Sequence, residues 1–282
     1  MTALDTAADS ARNAARTPQP PAPAWATDPA RPLIDRLAAR ISSGLDEVSV
    51  FPSPDAAADA VVSAIVQGRR AVVADPANEY IAARARRSAG GSTAFAWTAT
   101  EASLDGLVAA ARDAEVVVLS SPLLSRGSAT SPESRAIRSL GARDLLRLRS
   151  RAPRPVLVLD LRDEDLASSP LTQTALLLPG TIVVRGFGAP WREAGAAALA
   201  PLAFVAGPAD LIDLVGRGAL GRDIAEAACA ELDRPEIEPA VRSAALRWRQ
   251  NGLSGASSGG FLAPRADERL ESRGVPLVRA SA

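Results

Sequence analysis

Seven short apolar runs punctuate this chain, at residues 48–50, 71–74, 92–96, 116–119, 156–159, 181–184 and 202–206. Most are unbroken stretches of Val, Leu, Ile and Ala with no polar alternation, as expected of strands buried on both faces. The run at 92–96 is the weakest, since Ser, Thr and Ala dilute it. Between the runs, segments 56–66, 79–89, 103–114, 132–151 and 208–216 repeat their apolar positions every three to four residues, the period of a helix. A further helix is predicted over 31–41, from Leu33, Ile34, Leu37, Ala38 and Ile41. Strands alternating with helices predict an α/β fold: three layers, with a mainly parallel seven-stranded sheet covered on both faces. Several runs stop at polar or Gly/Pro residues, as at Asp75-Pro76, Ser120-Ser121-Pro122, Asp160, Arg185-Gly186 and Gly207-Pro208. Sheets of this kind bind ligands at such strand ends.

The pattern divides the chain into three. Residues 1–28 are rich in Ala, Thr, Pro and Ser, with Pro18, Pro20, Pro21 and Pro23 clustered, and are expected to form a disordered arm. Residues 29–216 carry the strand–helix alternation. Residues 217–282 begin with helical periodicity over 222–250, interrupted near Arg234-Pro235, then pass through a Gly/Ser-rich stretch at 251–260. Two short strands, 261–262 and 275–278, around a helix at 266–272 would complete a truncated α+β small domain.

Composition sharpens what chemistry is open to the chain. All 32 basic residues are arginine, so there is no lysine, and there is no histidine. Arginine stays protonated at working pH and is a poor base or nucleophile. The commonest general base and metal ligand is missing with histidine. Cys229 is the single cysteine, set in a helical pattern, so it reads as a buried thiol and an internal disulfide is ruled out. The 32 acidic residues balance the basic ones, and no long basic run marks a nucleic-acid surface. The arginine row Arg143, Arg147, Arg149, Arg151 has near-helical spacing and reads as a solvated face. With neither a signal-type leader nor a spanning apolar stretch, a cytoplasmic protein with no membrane partner is expected.

Two stretches carry a family resemblance. Thr181-Ile-Val-Val-Arg-Gly-Phe-Gly-Ala-Pro-Trp-Arg-Glu-Ala-Gly195, followed by Phe204-Val-Ala-Gly-Pro-Ala-Asp-Leu-Ile212, resembles the lysine-bearing loop of fold-type-I pyridoxal-phosphate aminotransferases (class I/II). That family reads strand, Arg-Thr-Phe-Ser-Lys, then a Gly-rich turn and a Pro-(2)-Leu-Ile helix. The β-α-β unit from Asp46 to Pro76, the strands at 116 and 156, and the Leu270–Arg279 stretch follow the family's order. The histidinol-phosphate aminotransferase branch, with its cobalamin-pathway threonine-phosphate decarboxylase relatives, is the most similar. The resemblance implies that family's large-domain fold with a reduced small domain.

Carried over residue by residue, the resemblance implies a degenerate site. Ala189 stands where the Schiff-base lysine would be, and Gly188 where the pattern has serine. The family arginine beyond the lysine falls near Ala197. The phosphate cradle falls on Ser53-Pro54-Asp55, where proline removes an N–H and aspartate adds a negative charge. The ring-stacking aromatic falls near Asn78, with Tyr80 displaced beside it. The paired asparagines fall on Ser121 and Leu124, and the tyrosine falls around Arg162-Asp163. Asp160 alone keeps its identity, as the acidic partner of the pyridinium nitrogen. The vestigial cofactor-binding set is therefore Asp160, Tyr80, Asn78 and Ser121. A strand-terminal aspartate capping the following turn needs no ligand, and that reading of Asp160 is the favoured one. Asp160, Asp163, Glu164 and Asp165 read as a solvated acidic loop, and Trp191 as either a plug in the cofactor space or a core anchor. The expected protein is a non-catalytic homologue that has lost covalent cofactor binding and acts on a protein or small-metabolite partner, with a homodimer implied by the family. The alternatives are an enzyme holding pyridoxal phosphate noncovalently and an eroded gene product with no selected activity.

Overall fold

The computed structural model describes residues 28–75, 78–96, 101–122, 140–167 and 169–250. Seven strands form one sheet: β1 (Val48–Phe51), β2 (Arg70–Asp75), β3 (Gly91–Ala96), β4 (Val116–Ser120), β5 (Val156–Asp160), β6 (Thr181–Gly186) and β7 (Ala203–Ala206). Their spatial order is β1-β7-β6-β5-β4-β2-β3. Strands β2 to β6 run parallel, and β7 pairs antiparallel with both β6 and β1. Chain order reverses between β2 and β4, and the parallel neighbours β4, β5 and β6 bring their carboxyl ends to one edge of the sheet, where sheets of this kind bind ligands.

The unbroken apolar runs are explained by burial on both sides. In β4, Val116 and Val118 pack into one core while Val117 and Leu119 pack into another, and all four are buried. The first layer holds α2 (Pro54–Val61), continued by a π turn at Val62–Val66, with α3 (Glu79–Ser88) and α8 (Ala209–Val215). The opposite layer holds α4 (Glu101–Ala111), α5 (Ala142–Arg151) and α6 (Thr172–Leu176). A third core lies at the β1–β7 end, under α1 (Arg31–Ile41), α9 (Arg222–Leu232) and α10 (Ile237–Gln250). Each Leu, Ile or Val taken fully out of water contributes about 1.5–3 kcal/mol, so these clusters dominate the fold's stability. β3 is the exception: it lies at the sheet edge and is mostly exposed, which is why its sequence signal is weak.

The α/β expectation and the seven strands hold, and the break at Arg234-Pro235 separates α9 from α10. Several details differ. The second helix starts at Pro54, earlier than its apolar period indicates, because Ser53 caps it by accepting from Ala56 N at 3.1 Å and proline suits the first helical position. Two five-residue helices, α6 and α7 (Ala189–Glu193), have no counterpart in the periodicity, being too short to show one. The helix predicted over 132–151 starts only at Ala142, because Gly141 is its extended N-cap; residues 132–139 lie outside the described residues. So do the arm up to residue 27 and the predicted strands and helix between 261 and 278.

One arginine overturns its expected role. Arg147 and Arg151 are surface partners of Asp105, but Arg149 is 7% exposed. Its Nη1 donates to the carbonyls of Pro153 and Pro155 at 3.0 and 2.9 Å, and its Nη2 to Gly180 O at 3.1 Å. The side chain thereby ties the end of α5 to the entrances of β5 and β6. The row is a solvated face except at this position, where neighbouring carbonyls replace water.

Candidate functional site

The crevice is built from strand ends and one helix start. Asp160 closes β5 and is buried. The backbone then turns so that Arg162 folds back: its Nε donates to Asp160 Oδ1 at 2.9 Å, while its own N–H reaches the same oxygen at 3.3 Å. The other Asp160 oxygen lies 3.5 Å from Ser120 Oγ, at the end of β4. Ser120 Oγ also accepts from Asn78 N at 2.9 Å. Across the crevice, Arg162 Nη1 donates to Asp55 Oδ1 at 3.3 Å. Asp55 lies in the first turn of α2, where the helix dipole favours a negative charge.

The third wall is Gly186, at the end of β6. A Cβ there would stand 3.3 Å from Arg162 Cβ and 3.4 Å from Pro54 Cγ. The absent side chain is what lets β6, the Arg162 turn and the start of α2 close on one another. The Arg162 side chain is 11% exposed, and its Nη2 is buried with no hydrogen-bond partner among the described residues.

The proposed cofactor residues are therefore only partly brought together. Asp160, Asn78 and Ser120 meet. Asn78 caps α3 through Oδ1, which accepts from Tyr80 N at 3.1 Å. Tyr80 is engaged elsewhere: its hydroxyl donates to Asp59 at 2.9 Å, and Arg84 lies 5.8 Å over its ring. Ser121 Oγ accepts from Leu140 N at 2.9 Å. Ala189 opens α7 just beyond the crevice, with Gly188 as its N-cap.

The acidic loop is not solvated, contrary to its reading in sequence. Glu164 is buried and accepts from Leu171 N, Thr172 N, Thr172 Oγ1 and Arg185 Nη1. Asp165 accepts from Arg185 Nη2 at 2.5 Å and from Trp191 Nε1 at 2.7 Å. Trp191 meets Phe187 edge-on at 5.0 Å, so it is a core anchor with its polar edge satisfied. Arginine against carboxylate explains the loop: these acids are held by Arg162 and Arg185. Sequence reasoning assigned neither arginine a partner. An arginine two residues beyond a strand-terminal aspartate was the available signal.

Asp163 differs from its neighbours. Burial, with the Asp160 charge next in weight, pushes its carboxyl up to about 6. A free aspartate titrates near 4, so the folded chain holds this proton more tightly than the unfolded one. The stability this provides is complete below about pH 4 and is lost as pH rises through about 6. Asp163→Asn is therefore expected to stabilise the chain by about 1–2 kcal/mol at pH 7.5 and to change nothing at pH 4. Urea denaturation of both chains at the two pH values checks this. A gain confined to acid would refute it.

No family model and no curated protein matches the sequence. The architecture does match solved structures. L-threonine-O-3-phosphate decarboxylase from Porphyromonas gingivalis superposes with a TM-score of 0.62 at 20% identity, covering 81% of this chain and 68% of that one. This is the fold-type-I fold of pyridoxal-phosphate-dependent aminotransferases. Histidinol-phosphate aminotransferase from Sinorhizobium meliloti, in complex with pyridoxal-5′-phosphate, gives 0.57 at 20% identity over 83% of this chain and 63% of that one. Aspartate aminotransferase from Thermus thermophilus with maleate gives 0.58 at 18%, over 82% and 64%. The chain spans about two thirds of the length of these structures.

Within this aminotransferase fold, the groups at the crevice do not fit the cofactor that the fold implies. An aldehyde needs a side-chain amine, and the chain has no lysine. A phosphate needs free N–H groups and a positive field, and the start of α2 presents Pro54 and the Asp55 carboxylate. A cationic ring needs an unpaired acid, and Asp160 already holds Arg162.

Proposed function

We propose that this chain is a non-catalytic homologue of pyridoxal-phosphate aminotransferases, with ancestry like that of the histidinol-phosphate branch, which works by binding a protein or small-metabolite partner. The observation that carries this reading is the engaged acid at the strand ends: Arg162 bridges Asp160 and Asp55 beside the end of β6. Transamination by this fold needs a side-chain amine and a free acid, and the chain has no lysine while Asp160 is held by a guanidinium that cannot do the chemistry. A homodimer, in keeping with the family, is part of this reading and is tested by light scattering on the full chain. Among the described residues, no helix is long and apolar enough to cross a membrane.

The deciding experiment is an absorbance titration of the purified full chain with pyridoxal phosphate. The cofactor spectrum is expected to stay that of the free aldehyde, with no amino-donor turnover. A protein-dependent aldimine band, or turnover that requires added cofactor, would end this reading. Retention of Asp160 favours one rival, a noncovalent holder of the same cofactor. That rival requires Arg162 to leave Asp160, and it would show as a saturable change in ring absorbance without an aldimine band.

A further inference from the structure

We propose that the β3 edge is a self-association surface: two copies of this chain pair their β3 strands antiparallel about a two-fold axis through Ala94, joining their sheets. The inference goes beyond the non-catalytic reading above and does not depend on it.

The two edges of the sheet are finished differently. β1 is buried along its length, and the segment after α8 covers its free side: Arg217 Nη1 donates to Val48 O at 2.7 Å, and Ser49 Oγ to Gly216 O at 2.9 Å. β3 pairs only with β2 among the described residues, and all of it but Phe95 is exposed. An open edge offers its N–H and C=O groups to another strand, and proteins guard such edges with charge, proline or a bulge. β3 has none of these. Residues 88–100 carry no charge and no proline, and the register with β2 runs unbroken from Gly91 to Ala96.

The register fixes which groups face outward. Arg70 turns its backbone towards β4: its carbonyl accepts from Glu115 N at 2.9 Å, and its N–H donates to the Glu115 side chain at 3.0 Å. Backbone groups alternate sides along a strand, so those of Ala71 and Val73 face β3. These two lie opposite Ser92 and Ala94. In a parallel pair such a residue bonds the two neighbours of the residue opposite, here Gly91, Thr93 and Phe95. The N–H and C=O groups of Ser92, Ala94 and Ala96 are left facing outward. Ala96 O accepts from Ser103 Oγ at 3.2 Å, and a carbonyl oxygen has a second lone pair.

That row is complementary to itself, which makes a second copy the occupant. An axis normal to the sheet keeps each face on its own side. Centred on Ala94, it sets Ala94 against Ala94 of the second copy and Ser92 against Ala96 of the second copy, so every outward group finds a partner. Thr93 then stands opposite Phe95 of the second copy in the closer, non-hydrogen-bonded position, a β-branched side chain beside an aromatic one. Phe95 is half-buried within one copy, where it lies over Gly106 of α4, and this contact covers it further. Strand pairing alone buries less than the roughly 1,200 Å² of a stable interface, so half-association is expected at about 10–100 μM.

Sedimentation velocity of the purified full chain from about 1 to 300 μM should show its mass double. Ala94→Pro removes only an outward N–H and leaves pairing with β2 intact. Ala94→Glu sets like charges on the axis. Each should raise Kd about tenfold or more. Leu177→Glu, which charges a side chain 83% exposed, should change nothing. Over the same range, amide exchange of Ser92, Ala94 and Ala96 should slow about threefold or more, while Thr93 and Phe95 hold steady. If Ala94→Pro does not fold, Ala94→Glu carries the comparison. A chain monomeric throughout, as for an edge kept for a different protein's strand, overturns the proposal; so does a doubling that survives the Ala94 variants, or protection that does not alternate. A dimer formed through another face adds its own step, which the Ala94 variants leave in place. An aldimine band with pyridoxal phosphate would refute the non-catalytic reading and leave this result untouched.

Discussion

Glu164→Ala is expected to destabilise the chain by about 4 kcal/mol. The carboxylate is 3% exposed and receives four hydrogen bonds from three residues. Its removal leaves the N–H groups of Leu171 and Thr172 without their acceptor, and half of the Arg185 fork without a counter-charge. Breaking a buried pair from one side costs about 3–5 kcal/mol, more than the pair's own net worth, because the survivor keeps its desolvation penalty. Asp165 still holds Arg185 Nη2, which keeps the loss near the middle of that range. Glu164→Gln retains an oxygen for the two N–H donors and should lose about half as much. Urea denaturation midpoints at constant slope measure both. A loss below about 1 kcal/mol for the alanine variant would mean that water replaces the carboxylate, and the buried network would have to be redrawn.

Arg149→Ala should cost about 3 kcal/mol, a large loss for an arginine on a helix. The wild-type guanidinium serves the carbonyls of Pro153, Pro155 and Gly180 and lies 3.4 Å from Thr181 Oγ1. Burial lowers its proton affinity from the ordinary arginine value, yet arginine remains charged throughout the working range. Arg149→Lys should recover only part of the loss, since one ammonium cannot span carbonyls that a planar fork reaches on two sides. Thermal unfolding of the two variants beside the exposed control Arg143→Ala checks this ordering. Equal Tm values for Arg143→Ala and Arg149→Ala would refute it.

These two side chains also mark how far the sequence could be read. Strands such as 116–120 and 156–160 were legible because burial on both faces writes an unbroken apolar run, and β3 was faint because its side chains are mostly exposed. Asp160 stood out because it ends such a run. Arg149 was misread because helical spacing alone cannot reveal that a turn at Pro153 and Pro155 brings carbonyls over one position of the row. The acidic loop was misread for the same reason: Arg185 lies 20 residues from Asp165 in sequence, and only the pairing of β5 with β6 makes them neighbours. The absence of lysine was plain from composition. What engages Asp160 was not, because Arg162 acquires its meaning from a backbone turn and from the glycine opposite.

The Asp160–Arg162 contact spans two residues of chain. Closing so short a loop costs little entropy and needs no distant partner. On the non-catalytic reading proposed above, a protein that carries its own counter-ion in the next turn matures at any vitamin B6 level, and starvation for that vitamin should leave its abundance unchanged.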